Sequence, residues 1–283
     1  MVTVGLWSAF ALSDRALVTS TLRPADAALI RYGTPLLLLA PALWRRRRQY
    51  LTVSPAAALK IVIGGGVPFY LAAMYGGSLT TAAFVGALVP GMVPLFIAAR
   101  GARSGQVPKG LQATGLALIG LGVAALVAPD IAAVDTRILT GCGLLLCASG
   151  LWSLYTVGLR EVSLDPVGSA GLLCLPTFLV MLLLVLTGVL PTNLTHAAPG
   201  DLLLFLVVQG VGSGVCSGLL YAFAIRLLGP QQCATVGSLS PALTAVLAVP
   251  LLGESLTVAV LAGIPLIAVG VLLANRLPRP TRS

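Results

Sequence analysis

Long apolar runs follow one another along almost the whole chain, and the polar residues are gathered into short gaps between them. A membrane-spanning helix needs about 20 mostly apolar residues. On that criterion ten segments are predicted, at approximately 2–21, 25–44, 56–75, 79–99, 109–128, 137–159, 167–190, 201–228, 231–252 and 257–275. The runs are continuous rather than alternating, which argues against a transmembrane β-barrel, whose strands switch between apolar and polar over about ten residues. The gaps leave no room for a soluble domain on either side. An all-α integral membrane protein is expected.

Composition sharpens this picture. Of 283 residues, 58% are hydrophobic and 9% are charged, whereas an ordinary soluble domain carries about 25% charged residues. A soluble enzyme, a disordered tail and a disulfide scaffold are excluded on that ground. The net charge of +9 is spread over short basic clusters between apolar runs, not concentrated in a basic domain, so nucleic acid is not an expected partner. The expected partners are membrane lipid and a small-molecule substrate. The five cysteines lie mostly inside apolar segments without CxxC spacing and read as small buried hydrophobes. No basic leader precedes the first apolar run, so no cleaved signal is expected.

The basic residues also give an orientation, because cytoplasmic loops are enriched in Lys and Arg. With the N-terminus inside, one side of the membrane holds Arg45, Arg46, Arg47, Arg48, Lys60, Arg100, Arg103, Lys109, Arg160 and Arg226. Adding Arg276, Arg279 and Arg282 of the tail brings that side to thirteen of the 17 basic residues. The other side holds Asp26, Asp130, Asp135, Asp201 and Glu254, with Arg23 and Arg137. Both termini are expected in the cytoplasm, and the membrane is expected to be the bacterial inner membrane.

Comparison of the chain with itself finds a repeat. Leu6 to Arg15 reads LWSAFALSDR and Leu151 to Arg160 reads LWSLYTVGLR, so Trp7, Ser8, Phe10 and Arg15 match Trp152, Ser153, Tyr155 and Arg160. Tyr70, Ala83, Gly86 and Pro90 match Tyr221, Ala234, Gly237 and Pro241, and GLALIGLGV from Gly115 matches GIPLIAVGV from Gly263. The expected organisation is a first five-helix repeat over 1–135 and a second over 136–283. Because five is odd, the second copy enters the membrane from the opposite side. Two inverted repeats with a site near the midplane are an arrangement of secondary transporters.

The LWS start of each half, Arg31 in LIRYGTPLLLLAPAL, and LSPALTAVLAVPLLGESLT from Leu239 to Thr257 resemble the EamA family of the drug/metabolite transporter superfamily. The resemblance covers nearly the whole chain, and its most specific part is the Gly-Glu-x-Leu-Thr ending of the second half. It implies a ten-helix exporter or exchanger of small metabolites, including amino acids. The sequence departs from the family in having Arg103-Ser104 where the first half would carry glycine and glutamate, and in having few residues before Trp7.

Polar and aromatic residues inside the spans are the candidate substrate-binding residues. Asp14 shares a helix face with Trp7 and Phe10, and either reaches a central aqueous cavity or sits with Arg15 at the outer end of the helix. Arg31 has three readings: a partner of Asp14 or Asp26 within the bundle, a side chain snorkelling outward, or a bidentate fork for a substrate carboxylate. Gln209, Ser213 and Ser217 form a polar stripe in the eighth segment beside Gly210, Gly214 and Gly218, whose small side faces suit close helix packing. Tyr70, Trp152, Tyr155 and Tyr221 read as cavity lining or as interfacial aromatics. Gly64, Gly65, Gly66 and Pro68 loosen the third segment or line a contact, and Pro90, Pro94, Pro241 and Pro250 mark bends.

The function that follows is a secondary transporter. No G-x-x-x-x-G-K-[ST] is present, so direct ATP use is not expected, and neither is any cofactor or metal. Asp14 is the candidate proton carrier, making protons a candidate coupling ion. An intramembrane enzyme would need convergent nucleophiles, bases or metal ligands. The sequence offers a single histidine, His196, in a loop. A non-transporting membrane scaffold is the remaining alternative.

Overall fold

The computed structural model describes residues 2–274 apart from Ser104, Ala133, Val134, Ser238, Leu239 and 254–256. Glu254 and the tail arginines therefore lie outside the described residues, as do the side chains of Arg15, Ala234 and Pro241. Of the described residues 87% are helical, and none lies in a strand. In chain order the helices are α1 (Val2–Ala16), α2 (Pro24–Leu38), α3 (Ala40–Arg46), α4 (Pro55–Gly65), α5 (Val67–Leu79), α6 (Ala82–Arg103), α7 (Leu111–Ala132) and α8 (Thr136–Glu161). They continue as α9 (Pro166–Leu186), α10 (Pro199–Phe205), α11 (Gly218–Leu228), α12 (Pro230–Gly237), α13 (Ser240–Leu252) and α14 (Val258–Ala274). A π-helical stretch, Leu206–Ser217, joins α10 to α11.

Helix starts follow from local chemistry. Proline opens α2, α4, α9, α10 and α12, where its missing N–H costs nothing and its fixed φ suits the first turn. Ser54 caps α4 through the Ala57 amide, Asp135 caps α8 through the Arg137 and Ile138 amides, and Asp165 caps α9 through the Gly168 amide. These side-chain oxygens satisfy amides that a helix leaves without partners.

Among the described residues five helical spans are long and apolar enough to cross a membrane, two of them composite (Pro55–Leu79, made of α4 and α5, and Pro199–Leu228, made of α10, the π-helical stretch and α11), and the bent pair of α2 with Ala40–Thr52 makes a sixth candidate. This is a multi-pass membrane protein. The shorter apolar helices are Leu111–Ala125 and Val258–Ala274. The second predicted segment differs from a straight run over 25–44. It stops at Leu38 and turns by 70° into Ala40–Thr52, because Pro41 stands in the first turn of α3 and Leu39 takes a non-helical conformation. A proline there cannot donate to the preceding turn and its ring crowds it.

Side chains are sorted as a lipid solvent requires. Along α9, Leu175, Leu179, Leu183 and Leu186 are exposed, while Gly168, Ser169, Gly171, Cys174 and Thr177 are buried. The small and polar face thus turns inward and the leucines turn out. Hydroxyls within the helices mostly bond back one turn: Thr34 to the Ile30 carbonyl, Thr80 to Gly76, Thr156 to Trp152 and Thr177 to Leu173. Such local bonds spare a polar group any need for water.

Glycine sets the closest helix approaches. A Cβ at Gly64 would lie 2.6 Å from the Leu151 carbonyl, so α4 lies backbone to backbone on α8. The chain then breaks at Gly66; the GGG–Pro run is both the contact and the bend expected of it. In the α7–α14 pair, a Cβ at Gly115 would strike the Gly270 carbonyl, and one at Gly122 would lie 2.7 Å from the Gly263 carbonyl. As one number rises the other falls, so the two helices run antiparallel. Gly115→Val is expected to cost about 2 kcal/mol or more of stability, because backbone on the facing helix cannot yield as a side chain can. Gly120→Ala on the same helix meets nothing within 4 Å and is expected to be neutral. Thermal unfolding of both variants in detergent checks this, and equal losses would count against the contact.

Candidate functional site

The site grows from three charged or polar residues on three elements. Asp14 near the end of α1, Arg31 in the middle of α2 and Gln209 in the π-helical stretch are 1%, 8% and 0% exposed. Arg31 donates through one guanidinium nitrogen to the Gln209 side-chain carbonyl at 3.0 Å. The Gln209 amide nitrogen donates to Asp14 Oδ1 at 2.9 Å and to Ser13 Oγ at 2.8 Å. Gln209 is thus an amide bridge between buried charges of opposite sign. The second Asp14 oxygen has no hydrogen-bond partner among the described residues. The Arg31 guanidinium also lies over the Phe10 ring, 4.5 Å from its centroid, where the ring face attracts a cation.

The backbone makes this meeting possible. A Cβ at Gly210 would lie 3.3 Å from Ile30 and press on Thr34, and one at Gly214 would strike the Arg31 carbonyl. The glycines therefore let the π-helical stretch lie against α2, the packing role read from their spacing, whereas Gly218 meets nothing within 4 Å. Long π-helical stretches are rare and recur at functional sites.

Against this polar group stands an aromatic wall. Trp152 of α8 is its centre, with ring centroids 4.8 Å from Phe69, 4.7 Å from Tyr155, 5.7 Å from Tyr221 and 6.1 Å from Trp7. The Trp7 indole N–H donates to Ser217 Oγ at 2.9 Å, and the Tyr221 hydroxyl shares a 2.9 Å hydrogen bond with Thr156. Two cavities flank the wall. One is lined by Trp7, Phe10, Arg31, Phe69, Trp152 and Ser240 among others, and the other by Arg31, Trp152, Tyr155, Ser213, Ser217 and Tyr221 among others. Arg31 and Trp152 face both. The centre of a water molecule has about 40 Å³ of free space in the first and about 30 Å³ in the second. Since one water needs about 10–15 Å³ on this measure, each holds only a few waters.

Eight of the ten candidate residues belong to this region as lining or bridge, and a ninth, Asp14, is joined to it by Gln209. Tyr70 is set apart: its ring pairs with Tyr32, centroids 5.8 Å apart, while its neighbour Phe69 takes the place against Trp152. Tyr70 is in the lining of neither cavity, while its ring partner Tyr32 lines the second. Among the three readings of Arg31, snorkelling is excluded by its burial. Asp26, expected on the non-cytoplasmic side of the membrane, is fully buried. It accepts from the Arg23 amide at the start of α2, from the Thr192 hydroxyl and from the Asn193 amide at 2.9 Å. The contribution from residues 192–193 could not be foreseen from local sequence.

Comparison with known proteins places part of this architecture. Residues 139–276 match the EamA-like transporter family. The match spans just under half of the chain, and the matched part is similar to that family. It supplies Trp152, Tyr155, Gln209, Ser213, Ser217 and Tyr221, which is most of the site. A Clostridium kluyveri protein named "uncharacterized transporter" is 32% identical over 136 residues, covering 48% of this chain and 43% of that protein. The chain thus matches less than half the length of this curated relative. A solved crystal structure superposes on 97% of this chain and 94% of its own with a TM-score of 0.67 at 20% identity, so the two share a fold.

Gln209→Leu leaves a buried guanidinium and a buried carboxylate each short of a partner. It is expected to lower stability by about 3 kcal/mol, read by unfolding of the detergent-solubilised protein. Asp14→Asn keeps an acceptor for the amide and removes one charge, so it is expected to cost less. Equal costs would contradict the bridging role.

Proposed function

We propose that the protein is a secondary carrier that exports small metabolites such as amino acids across the bacterial inner membrane. In this reading it works by alternating access between two inverted five-helix repeats, 1–135 and 136–283, with ten spans and both termini cytoplasmic. The observation that carries the proposal is that Arg31 of the first half and Trp152 of the second both face two small cavities in the middle of the bundle. A site made jointly by two halves changes its access when the halves rock against each other.

The glycine contacts support the inverted arrangement. The repeat equates Gly115 with Gly263 and Gly122 with Gly270. Exchanging the halves then turns the Gly115–Gly270 contact into the Gly263–Gly122 contact, and both are present. A local two-fold axis between α7 and α14 has this property, and an arbitrary antiparallel pair does not. The match to the EamA-like family over the second half points the same way.

The substrate class follows from the lining. Arg31 offers a carboxylate a planar cationic fork, and the Trp7, Trp152, Tyr155 and Tyr221 rings offer an apolar wall with polar tips. Asp14 supplies the proton site: its unpartnered oxygen can take up a proton without breaking the bond from Gln209 to the other oxygen. On this reading, a conformation with space for only a few waters is the closed one between two open states.

Counterflow in proteoliposomes tests this, with a panel of radiolabelled amino acids and small metabolites, with and without a pH gradient. Saturable flux is expected for a carboxylate-bearing substrate. Arg31→Gln and Trp152→Ala are each expected to lower it by about tenfold or more, a loss of about 1.4 kcal/mol of binding or more. Asp14→Asn is expected to abolish the gradient's effect while leaving exchange. Flux above empty liposomes that is untouched by Arg31→Gln would move the carboxylate site elsewhere, and no flux from folded protein would remove the carrier reading.

A further inference from the structure

Two openings lie away from the central site, on either side of one short segment. After α2 ends, Ala40–Thr52 turns away by 70°. A helix roughly normal to the bilayer, followed by a 70° bend, leads into a segment that lies within about 20° of the membrane plane, close to the headgroup layer. Its sequence, APALWRRRRQYLT, suits that position. Trp44 and Leu51 are 69% and 86% exposed, and the Arg47 guanidinium covers the Trp44 ring at 4.4 Å. Tryptophan beside arginine is a pairing of the membrane interface, where a ring sits among glycerol groups and a cation reaches the phosphates.

On one side of this segment is an apolar groove of about 380 Å³, lined by Leu36, Ala40, Leu43, Trp44 and Leu175 among others. Trp44 and Leu175 of its lining are exposed, so its mouth opens on the outer surface of the bundle. On the other side is a polar pocket of about 400 Å³, lined by Arg45, Arg46, Gln49, Asp165 and Arg226 among others. Three guanidinium groups face one carboxylate there. Asp165 is already occupied: Oδ1 caps α9 at the Gly168 amide, and Oδ2 accepts from Arg46 at 2.7 Å. Arg226 spends one nitrogen on the Leu164 carbonyl at 3.3 Å. Positive charge remains in excess, and Arg45 makes no ion pair among the described residues.

We propose that this bend is a binding site for one anionic glycerophospholipid, its phosphate in the Arg45–Arg226 pocket and an acyl chain in the Leu36–Leu175 groove. The two openings share one wall, the segment 40–52, so a single molecule with a charged head and an apolar tail reaches both. A free anion would use only the pocket, and a neutral lipid gains nothing from three arginines. Charge complementarity thus selects the headgroup and the groove selects the tail. Such a lipid would hold the bend against α9, whose N-terminus Asp165 caps. The site lies outside the cavities assigned to transport, and the inference rests only on the membrane location.

Native mass spectrometry of the delipidated full-length chain tests the site. The probes are phosphatidylglycerol and phosphatidylcholine with identical dioleoyl chains, and inorganic phosphate as a competitor. Phosphatidylglycerol is expected to bind about tenfold more tightly than phosphatidylcholine, and this preference is expected to shrink as salt rises from about 0.1 M to about 0.5 M. The double variant Arg45→Gln/Arg226→Gln is expected to lose the preference, and Arg45→Lys/Arg226→Lys to restore most of it. Ala40→Trp, which fills the groove, is expected to weaken both lipids alike. Equal binding of the two lipids by the wild type would overturn the proposal, as would a preference that survives removal of both arginines. Displacement of the lipid by millimolar phosphate, or indifference to Ala40→Trp, would overturn it in favour of a simple anion pocket. The lipid comparison and the salt series use wild-type protein, so they decide the matter even where a variant fails to fold.

Discussion

An arginine cannot shed its charge to enter an apolar interior, and the centre of this protein is arranged around that constraint. Arg31 lies in α2, surrounded by helices whose outer faces meet lipid. It is stabilised by an amide oxygen on one side and a ring face on the other, rather than by a direct carboxylate clamp. Gln209 is the residue that makes this work, because an amide accepts at one end and donates at the other. Its carbonyl meets the guanidinium and its amine meets the carboxylate. Leucine would meet neither, and a carboxylic acid would place two like charges beside each other. The consequence reaches beyond stability. A neutral bridge leaves both ions with unused hydrogen-bonding capacity, on Asp14 as an unpartnered oxygen and on Arg31 as a guanidinium facing two cavities. Those unused valences are what a substrate or a proton would engage.

Backbone shape is what allows the bridge to form. Gln209 reaches α1 and α2 together because the π-helical stretch can approach α2 at Gly210 and Gly214 without side chains in the way. The same device recurs where α4 meets α8 and where α7 meets α14. In a lipid environment there is little hydrophobic force to press helices together, so close packing of bare backbone does that work. Small residues therefore serve two ends here. They let the bundle pack, and at Gly218, where a Cβ would meet nothing within 4 Å, they leave open space beside a cavity.

Much of this was readable in the sequence, for reasons that differ residue by residue. The helical segments were legible because lipid forces long apolar runs. Trp7, Trp152, Tyr155 and Tyr221 were legible because the repeat set aromatic residues in equivalent places. The 70° turn after Leu38 was not, since the run LLLLAPAL is apolar throughout and hydropathy carries no direction. Phe69 was passed over because the chain restarts at the Gly66 break, which rotates the face that α5 presents. The burial of Asp26 was not legible, because the partners that satisfy it lie 166 and 167 residues away. Local patterns predict elements; only folding brings distant donors to a carboxylate.

The distribution of polar bonds also says which contacts could yield. Around the cavities the inter-helix bonds are single and mostly neutral: Ser8 to Ser240, Ser149 to the Val89 carbonyl, Trp7 to Ser217. Each such bond contributes about 1 kcal/mol net. At the ends of the bundle the bonds are clustered and charged. Asp26 gathers the start of α2 and residues 192–193, Thr21 joins Asp201 at 2.7 Å, and on other elements Arg46 pairs with Asp165 and Lys60 with Glu161. On the carrier reading, a bundle held in this way would open by releasing one end while the weakly bonded middle adjusts. The middle would have to adjust, because cavities with room for a few waters hold no metabolite until the Trp152 wall moves. On the carrier reading, the charged clusters at the two ends are then the closures, and the bridge at Arg31 is the part that stays assembled while one or the other gives way.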